Sequence, residues 1–322
     1  MKTLPDRPRL TPAVASSRRR IRELFEGQAI SNDTVLVGFS GGADSLALLA
    51  AVTFEAKKFS IKPVAVIVDH GLQENSEVVA SNAAATAESL GVRALIKKVS
   101  VGTEGGLENA AREARYQAFL DVKRELNASY LLLGHNLNDQ AESVLLGLMR
   151  GSGPRSIAGM QEVTDWILRP FLTIPGEQLR QACEDQGLKF WDDPHNDDPR
   201  FARVEIRKIL NQLEASGSAG VIESLSRTAE QMQEAEAIIQ PLIEELVSEL
   251  DDKSLVPVEF LEKLDTAYRR RVIHRVAVLN SAELARVHVL EIEKLVTNWH
   301  GQKPLNLPGI TVSRVGTHLH FD

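Results

Sequence analysis

The sequence predicts an α/β protein: a mainly parallel sheet with helices on both faces, followed by a smaller, mostly helical domain with short C-terminal strands. Two observations predict this fold class. Strand-like and helix-like patterns alternate from residue 34 to residue 150, which is typical of βαβ units. A small, polar stretch at residues 214–220 then ends the alternation, and longer helical segments follow. Because 322 residues suit two domains, we place one at residues 1–215 and the other at residues 216–322.

Hydrophobic periodicity predicts the elements of the first domain. Apolar, β-branched runs predict strands at residues 35–39, 64–69, 94–99 and 130–134. Helical spacing of apolar residues predicts helices at residues 45–55, 76–90, 107–126 and 139–150. Ligands of parallel sheets bind beyond the carboxyl ends of the strands, so the turns after these strands are expected to form the site.

The second domain has a different pattern. Helical segments are predicted at residues 221–250, 264–279 and 282–296. The tail, residues 303–322, has the turn signals and alternation of short strands. This half is acidic, because residues 211–322 carry 11 basic and 17 acidic side chains.

The turn after the first strand carries the strongest chemical signal, the hexapeptide SGGADS at residues 40–45. Two glycines let the backbone approach an anion, and the free N–H groups of the following helix point at it. No G-x-x-x-x-G-K-[ST] motif is present, and Asp44 lies where a lysine would otherwise help. A carboxylate beside polyphosphate is best explained by a bridging Mg²⁺ ion. The hexapeptide therefore predicts a polyphosphate-binding loop; the alternative is an ordinary glycine turn.

Two further strand ends carry candidate residues. Asp69 and His70 close the second strand, where Asp69 could position a nucleotide and His70 could stack on it or hydrogen-bond to it. The alternative is a turn that Asp69 caps. His135 and Asp139 follow the fourth strand, and Asp139 is a candidate Mg²⁺ ligand or base. Asp139 is equally suited to the start of a helix, where the dipole favours a carboxylate.

Arg112 and Arg115 lie in the helical stretch LENAAREARY at residues 107–116. An arginine held near the phosphate-binding loop would neutralise charge on a transferring phosphoryl group. The alternative is a solvated Glu–Arg helix face, as is usual for charged residues at this spacing.

Composition excludes several classes of protein. No apolar run reaches the length of a membrane span, and the first residues carry no apolar signal segment, so we expect a cytoplasmic protein without membrane contact. The net charge of −7 argues against a general, charge-driven nucleic-acid binder, although basic clusters at residues 18–20, 200–208 and 269–271 could contact phosphate locally. Cys183 is the single cysteine, which excludes internal disulfides and paired-cysteine sites; we interpret it as a packing residue.

The SGGADS loop resembles the PP-loop of the N-type ATP pyrophosphatases, which adenylate a substrate and release pyrophosphate. Further stretches make the resemblance more specific. In order, they are DHGL, AREARY, GHNLNDQAES, LLGLMRGSG, RPFL and WDDPHNDD. Together, over about residues 34–210, they are similar to the tRNA(Ile)-lysidine synthetase family, in a short form without a further C-terminal domain. Asn138 departs from that family's pattern, which has an aspartate there, and of the later basic segment only Arg203 and Arg207 carry over.

The resemblance implies a ligase that joins free lysine to C2 of the wobble cytidine in the CAU anticodon of isoleucine tRNA, consuming ATP with Mg²⁺. It implies that the loop residues hold the phosphates, aided by Asp69 and His70 around the nucleotide; the loop residues are Ser40, Gly41, Gly42, Ala43, Asp44 and Ser45. Asp44 and Asp139 are then the metal ligands, and Asp44, Arg112, His135 and Asp139 are the catalytic residues.

The family resemblance leaves some points open. The oligomeric state is one of them, with a homodimer as one arrangement. Two other functions are also compatible with the loop alone. One is a different PP-loop ATP pyrophosphatase, and the other is a nucleotide-binding module without catalysis.

Overall fold

The computed structural model of the chain describes residues 10–71, 75–102, 106–151, 153–192, 202–217, 220–282 and 284–322. The chain forms two compact units. The first comprises Met1–Met149 and Ala158–Ala229, and the second comprises Arg150–Ile157 and Glu230–Asp322. The second unit therefore takes a short segment from within the sequence of the first.

The elements up to residue 215 are, in chain order, α1 (Pro12–Gly27), β1 (Thr34–Gly38), α2 (Ala43–Phe59), β2 (Lys62–Asp69), α3 (Ser76–Ser89), β3 (Arg93–Lys98), α4 (Leu107–Leu126), β4 (Tyr130–Leu132), α5 (Leu137–Met149), α6 (Pro154–Ile157), β5 (Val163–Thr164), β6 (Ile167–Leu168), α7 (Gly176–Glu184) and α8 (Ala202–Ala215). The remainder are α9 (Val221–Ser248), β7 (Leu255–Pro257), α10 (Val258–Lys263), α11 (Thr266–Leu279), α12 (Arg286–Thr297), β8 (Leu305–Leu307), β9 (Ile310–Val315) and β10 (His318–Phe321).

The first unit contains a six-stranded sheet in the order β3-β2-β1-β4-β6-β5. Its strands are parallel except β5, which runs antiparallel to β6. The residues of β1 alternate between two apolar cores: Val35 and Val37 pack with α2, α3 and α7, whereas Leu36 packs with α4. Helices therefore cover both faces of a mainly parallel sheet, as the sequence predicts.

The strand order places a topological switch point between β1 and β4. The chain leaves β1 toward β2 on one side, and β4 pairs with β1 on the other. Ligands of open α/β sheets bind at such a point, beyond the carboxyl ends of the strands. The turn after β1 and the turn after β4 meet there.

Cys183 on α7 is fully buried in the core of the first unit. Its thiol donates to the carbonyl oxygen of Ala43 at 3.4 Å, and burial raises its pKa to about 12. A thiol with that pKa is inert at neutral pH. Cys183 is a packing residue, as predicted.

The second unit has a separate core. Helices α10, α11 and α12 and the later part of α9 pack with a four-stranded antiparallel sheet in the order β7-β10-β9-β8. Three of these strands are the predicted C-terminal ones. None of the described helices combines the length and apolar character needed to cross a membrane.

Candidate active site

A cavity of about 430 Å³ lies at the carboxyl ends of β1, β2 and β4. It is lined by six of the residues predicted from the sequence: Ser40, Asp44, Ser45, Asp69, His70 and His135. The fold therefore brings together residues that are up to 95 positions apart in the chain.

The loop between β1 and α2 has the geometry of an anion-binding turn. Gly41 has a φ of +86°, which favours glycine, and Gly42 precedes the first residue of α2 without any side-chain cap. The Ser40 and Ser45 hydroxyls lie 3.1 Å apart, and Ser45 Oγ accepts a hydrogen bond from the Ser40 backbone N–H at 3.2 Å. The helix N–H groups stay available for an anionic ligand.

Gly134, at the turn after β4, permits a close approach to this loop. A Cβ atom at Gly134 would lie 3.0 Å from the carbonyl oxygen of Asp44 and 3.2 Å from the backbone nitrogen of Ser45. Both contacts are with backbone atoms, which cannot move aside as a flexible side chain can. A residue larger than glycine would displace the phosphate-binding loop.

Asp44 and Asp139 form an acidic pair with perturbed ionisation. Burial, and then the negative charge of Asp139, raise the pKa of Asp44 to about 6, while a hydrogen bond from Asn136 opposes the shift. Burial also raises the pKa of Asp139. Asp139 is not among the residues that line the cavity, but its charge acts on Asp44. A cation bound by both carboxylates would offset the free-energy cost of ionising each of them.

Asp139 also has a structural role at the start of α5. Its Oδ2 accepts a hydrogen bond from the Asn136 backbone N–H at 2.9 Å, and Asn136 Oδ1 accepts from the Asp139 N–H at 3.1 Å. This reciprocal arrangement is a capping box. Both interpretations of Asp139, helix-start residue and functional carboxylate, are therefore compatible with its position.

Asn138, which departs from the family pattern, forms a hydrogen bond to a neighbouring helix. Its Oδ1 accepts a hydrogen bond from the Gly176 N–H at 3.0 Å, at the first residue of α7. The amide thus satisfies a free N–H of a neighbouring helix.

Glu142 is a buried acidic residue that the sequence analysis leaves without a role. It is 1% exposed, and its Oε1 accepts a hydrogen bond from Arg207 Nε at 2.8 Å. Its other oxygen, Oε2, is buried without a hydrogen-bond partner among the described residues. The signal in the sequence was its position three residues after Asp139, which places both on one side of α5.

Histidines 70 and 135 face the cavity as neutral groups. Burial, together with the positive charges of Arg169 and Arg115, lowers the pKa of His135 to about 3. Burial likewise lowers the pKa of His70. The Nδ1 atoms of both rings are buried without hydrogen-bond partners in the part of the chain that is described. Each ring can therefore exchange a hydrogen bond with a ligand, and His135 stays uncharged at neutral pH.

The position of Asp69 is compatible with both roles considered from the sequence, a carboxylate that faces a ligand and a residue that caps a turn. It lines the cavity and is 4% exposed. Its Oδ1 accepts a hydrogen bond from the Gly71 N–H at 3.0 Å, which is the predicted turn. The turn orients a carboxylate toward the cavity.

The two arginines of α4 differ in position. Arg115 lines the cavity, its Nε is buried without a described partner, and burial lowers its pKa. Arg112 is exposed, does not line the cavity, and its guanidinium lies 4.9 Å from the centre of the Tyr116 ring. Both remain candidates for phosphate neutralisation, and Arg115 is the residue that the sequence analysis did not choose.

Part of the WDDPHNDD stretch reaches the site. Trp191 lines the cavity, and its backbone N–H donates to the carbonyl oxygen of Gly41 at 3.0 Å. Residues 193–201 lie outside the described part of the chain, so the remainder of that stretch stays a prediction. Within the described ranges, no group of three or more His, Cys, Asp and Glu residues is arranged to hold a metal ion.

Comparisons with known proteins agree with this geometry. A family model described as a PP-loop domain matches residues 14–214, and one described as a TilS substrate binding domain matches residues 257–320. A solved U34-tRNA thiolase from Methanococcus maripaludis is similar to 69% of this chain and 80% of its own, with a TM-score of 0.57. At 22% identity, this similarity concerns the fold alone.

Curated relatives cover most of the chain. A tRNA(Ile)-lysidine synthase of Leifsonia xyli subsp. xyli is 46% identical over 295 residues, or 89% of each chain. The tRNA(Ile)-lysidine synthase of Nocardia farcinica is 44% identical, over 86% of each chain. The one from Streptomyces coelicolor is 40% identical, over 87% of this chain and 82% of its own.

Proposed function

The chain belongs to the tRNA(Ile)-lysidine synthase family, and from this membership we propose how its residues perform the ATP-dependent modification of tRNA. The observation that carries the proposal is the meeting of the SGGADS loop, which includes Asp44, with His135 and Arg115 at one cavity. A polyphosphate-binding turn beside a raised-pKa carboxylate suits cleavage between the α- and β-phosphates of ATP.

In the proposed reaction, O2 of the wobble cytosine in a CAU anticodon attacks the α-phosphate of ATP, and pyrophosphate leaves. The ε-amine of free lysine then attacks C2 of the adenylated base. The new C2–N bond forms as the C2–O bond breaks, AMP leaves carrying that oxygen, and the amine loses a proton. The target base has to leave its stack, which costs least in a single-stranded loop.

Loop residues Ser40 to Ser45 would hold the phosphate oxygens through backbone N–H groups and the two hydroxyls. Asp69 and His70 would contact the nucleoside part of ATP. Arg115 from within the cavity, and Arg112 from outside its lining, would offset negative charge on the α-phosphate.

Asp44 and Asp139 would hold Mg²⁺. Their chemistry fits the ion, because both are half-buried carboxylates whose pKa values are raised and whose charges repel. When bound, Mg²⁺ would neutralise charge on the phosphates and on the departing pyrophosphate. Asp139 could instead accept the proton of the attacking lysine, with neutral His135 orienting the amine by a hydrogen bond.

Other assignments rest on the family resemblance and the sequence pattern. We assign ATP binding and catalysis to residues 1–215 and tRNA binding to residues 216–322. We further propose a cytoplasmic enzyme with free L-lysine as second substrate. A homodimer is the arrangement to test by analytical ultracentrifugation.

The test is to incubate purified protein with ATP, Mg²⁺, labelled lysine and an isoleucine tRNA transcript carrying CAU, and to follow label entering RNA. We expect incorporation that requires ATP and is lost when the wobble cytidine is replaced by uridine. Pyrophosphate release without lysine incorporation would retain the PP-loop chemistry and reject the substrate. Absence of both products would favour a nucleotide-binding module without catalysis.

A further inference from the structure

A second cavity, of about 780 Å³, is formed entirely by residues of the second unit. Its charged lining is basic, and none of its described lining residues is acidic. The basic residues are Arg150, Arg155, Arg270, Arg271, Arg286 and His274. Apolar side chains such as Ile243, Leu284 and Val289 form much of the remaining wall. The concentration of arginines is unexpected in a part of the chain that is acidic as a whole.

Acidic residues outside the lining hold three of the arginines in place, and Arg155 Nε lies 3.8 Å from Glu236 Oε2. Arg271 donates from Nη1 and Nη2 to the two carboxylate oxygens of Glu236, at 2.8 and 2.7 Å. Arg270 Nε donates to Glu293 Oε2 at 2.7 Å. Such paired guanidiniums lose little further rotational freedom when an anion binds, because their positions are already set.

Arg150 and Arg286 differ from the paired arginines. Both are exposed, and neither has a hydrogen bond or ion pair with any residue that the structure describes. Their charges are therefore available to an anionic ligand. A guanidinium presents a planar fork of donors that matches phosphate oxygens.

We propose that this arginine cavity binds the sugar-phosphate backbone of the substrate tRNA. The proposal rests on the proposed function. It identifies the surface by which the acidic C-terminal part of the enzyme contacts a polyanion. Charge complementarity favours RNA, because several arginines converge on one cavity in a part of the chain that is acidic as a whole. The apolar wall beside them can accept an unstacked base.

This cavity also includes residues of a sequence motif, the RGSG tetrapeptide, that does not line the first cavity. Arg150, Gly151 and Gly153 of the RGSG tetrapeptide line this cavity, not the ATP cavity. The segment belongs to the second unit although it directly follows α5 of the first. Its position is consistent with a role in RNA binding.

The experiment compares tRNA affinity in two double variants of the full chain. Arg150→Glu with Arg286→Glu reverses the two free charges of the cavity. Lys263→Glu with Lys303→Glu changes the net charge of the second unit equally, and neither lysine lines the cavity. Filter binding with the isoleucine tRNA transcript at several KCl concentrations gives each Kd, and circular dichroism checks each fold.

We expect the arginine reversal to raise the Kd for tRNA about 30-fold and to lower the slope of log Kd against log salt by about two. The lysine control should change Kd by less than about threefold. Arg150→Gln with Arg286→Gln, which removes the charges without reversing them, should give an intermediate Kd.

Equal weakening by the arginine and lysine pairs would overturn the proposal, because net charge alone would then explain binding. An unchanged Kd in the folded arginine variant, with lysidine formed by the wild type, would overturn it and leave the proposed function intact. A wild type that binds ATP but neither binds nor modifies the tRNA would reject the proposed function itself.

Discussion

At the residue scale, Asp44 places function in conflict with stability. Its pKa of about 6, against an ordinary value of 3.8, means that folding disfavours the ionised carboxylate. At about 1.4 kcal/mol for each pH unit, the ionised form costs the folded protein about 3 kcal/mol. The cost is absent below about pH 4, grows between pH 4 and 6, and is complete above pH 6.

Asp44→Asn should therefore stabilise the free protein while inactivating it. In Mg²⁺-free buffer at pH 7.5, we expect the free energy of unfolding to rise by about 2–3 kcal/mol, with the gain disappearing near pH 4. Lysidine formation should fall about 100-fold or more. Urea unfolding across pH and the labelled-lysine assay measure the two effects.

Asp185→Asn is the matched control, because Asp185 is an exposed aspartate of the same unit. It should leave activity within about twofold of the wild type. If Asp44→Asn keeps near-normal turnover, Asp44 has no place in the mechanism.

The two arginines of α4 allow a paired comparison. Arg115→Met removes a charge from within the cavity, and Arg112→Met removes one from an exposed position. We expect Arg115→Met to lower kcat/KM for ATP by about 100-fold, because a desolvated charge acts more strongly on the α-phosphate. Arg112→Met should lower kcat/KM for ATP by about tenfold or less. Steady-state pyrophosphate release measures both, and the reverse order would return the main role to Arg112.

At the element scale, the meeting of two turns determines the shape of the phosphate-binding loop. Gly134→Ala would place a methyl group 3.0 Å from the Asp44 carbonyl oxygen, between backbone segments that cannot yield. We expect a loss of about 1–3 kcal/mol of stability and a weaker affinity for ATP. Thermal unfolding and equilibrium binding of ATP are the measurements.

Gly102→Ala is the control for this substitution. Gly102 lies in the same unit, its φ is not positive, and no atom of the described residues lies within 4 Å of the position of its missing Cβ. It should bind ATP as the wild type does. Similar behaviour of both alanine variants would show that the turns do not depend on the close approach.

Most elements of the sheet were predictable from the sequence. The strand predicted at residues 64–69 is β2, Lys62–Asp69, and the one at residues 94–99 is β3, Arg93–Lys98. Apolar residues between two helical segments identify both strands, most clearly in β2 with its run of Val and Ile. Strands β5 and β6 were not predicted, because two residues are too few to show alternation and their pairing with β4 and with each other is tertiary.

The site was predictable in its loops but not in the choice between neighbouring helix residues. Arg112 and Arg115 are three positions apart, so helical periodicity places them close together on α4. Only packing against the sheet decides which one is buried, and packing is not visible in a periodic pattern. Asp139 was predicted as a helix-start residue, but its capping box with Asn136 was not. The hydrogen bond from the Gly176 N–H to Asn138 joins residues 38 positions apart, which a local pattern does not show.

At the scale of the whole molecule, the two units have separate cores. The buried apolar residues of the sheet unit and those of the second unit belong to different clusters, with no member in common. The cavity proposed to bind ATP is formed by the first unit alone and the arginine cavity by the second alone. Ligands of one cavity should therefore stabilise one core directly.

Differential scanning calorimetry of the full chain should resolve two unfolding transitions, since multidomain proteins commonly depart from two-state behaviour. A non-hydrolysable ATP analogue at 100 times its Kd adds about 2.7 kcal/mol to the unit that binds it, so only the first unit's transition should rise. Ile292 is fully buried on α12 in the core of the second unit. Ile292→Ala should lower the free energy of unfolding of that unit by about 2–5 kcal/mol, so only the second unit's transition should move to a lower temperature. If a single transition is seen, and both the ATP analogue and Ile292→Ala shift it, the two units unfold together. Separate cores would then not imply separate stabilities.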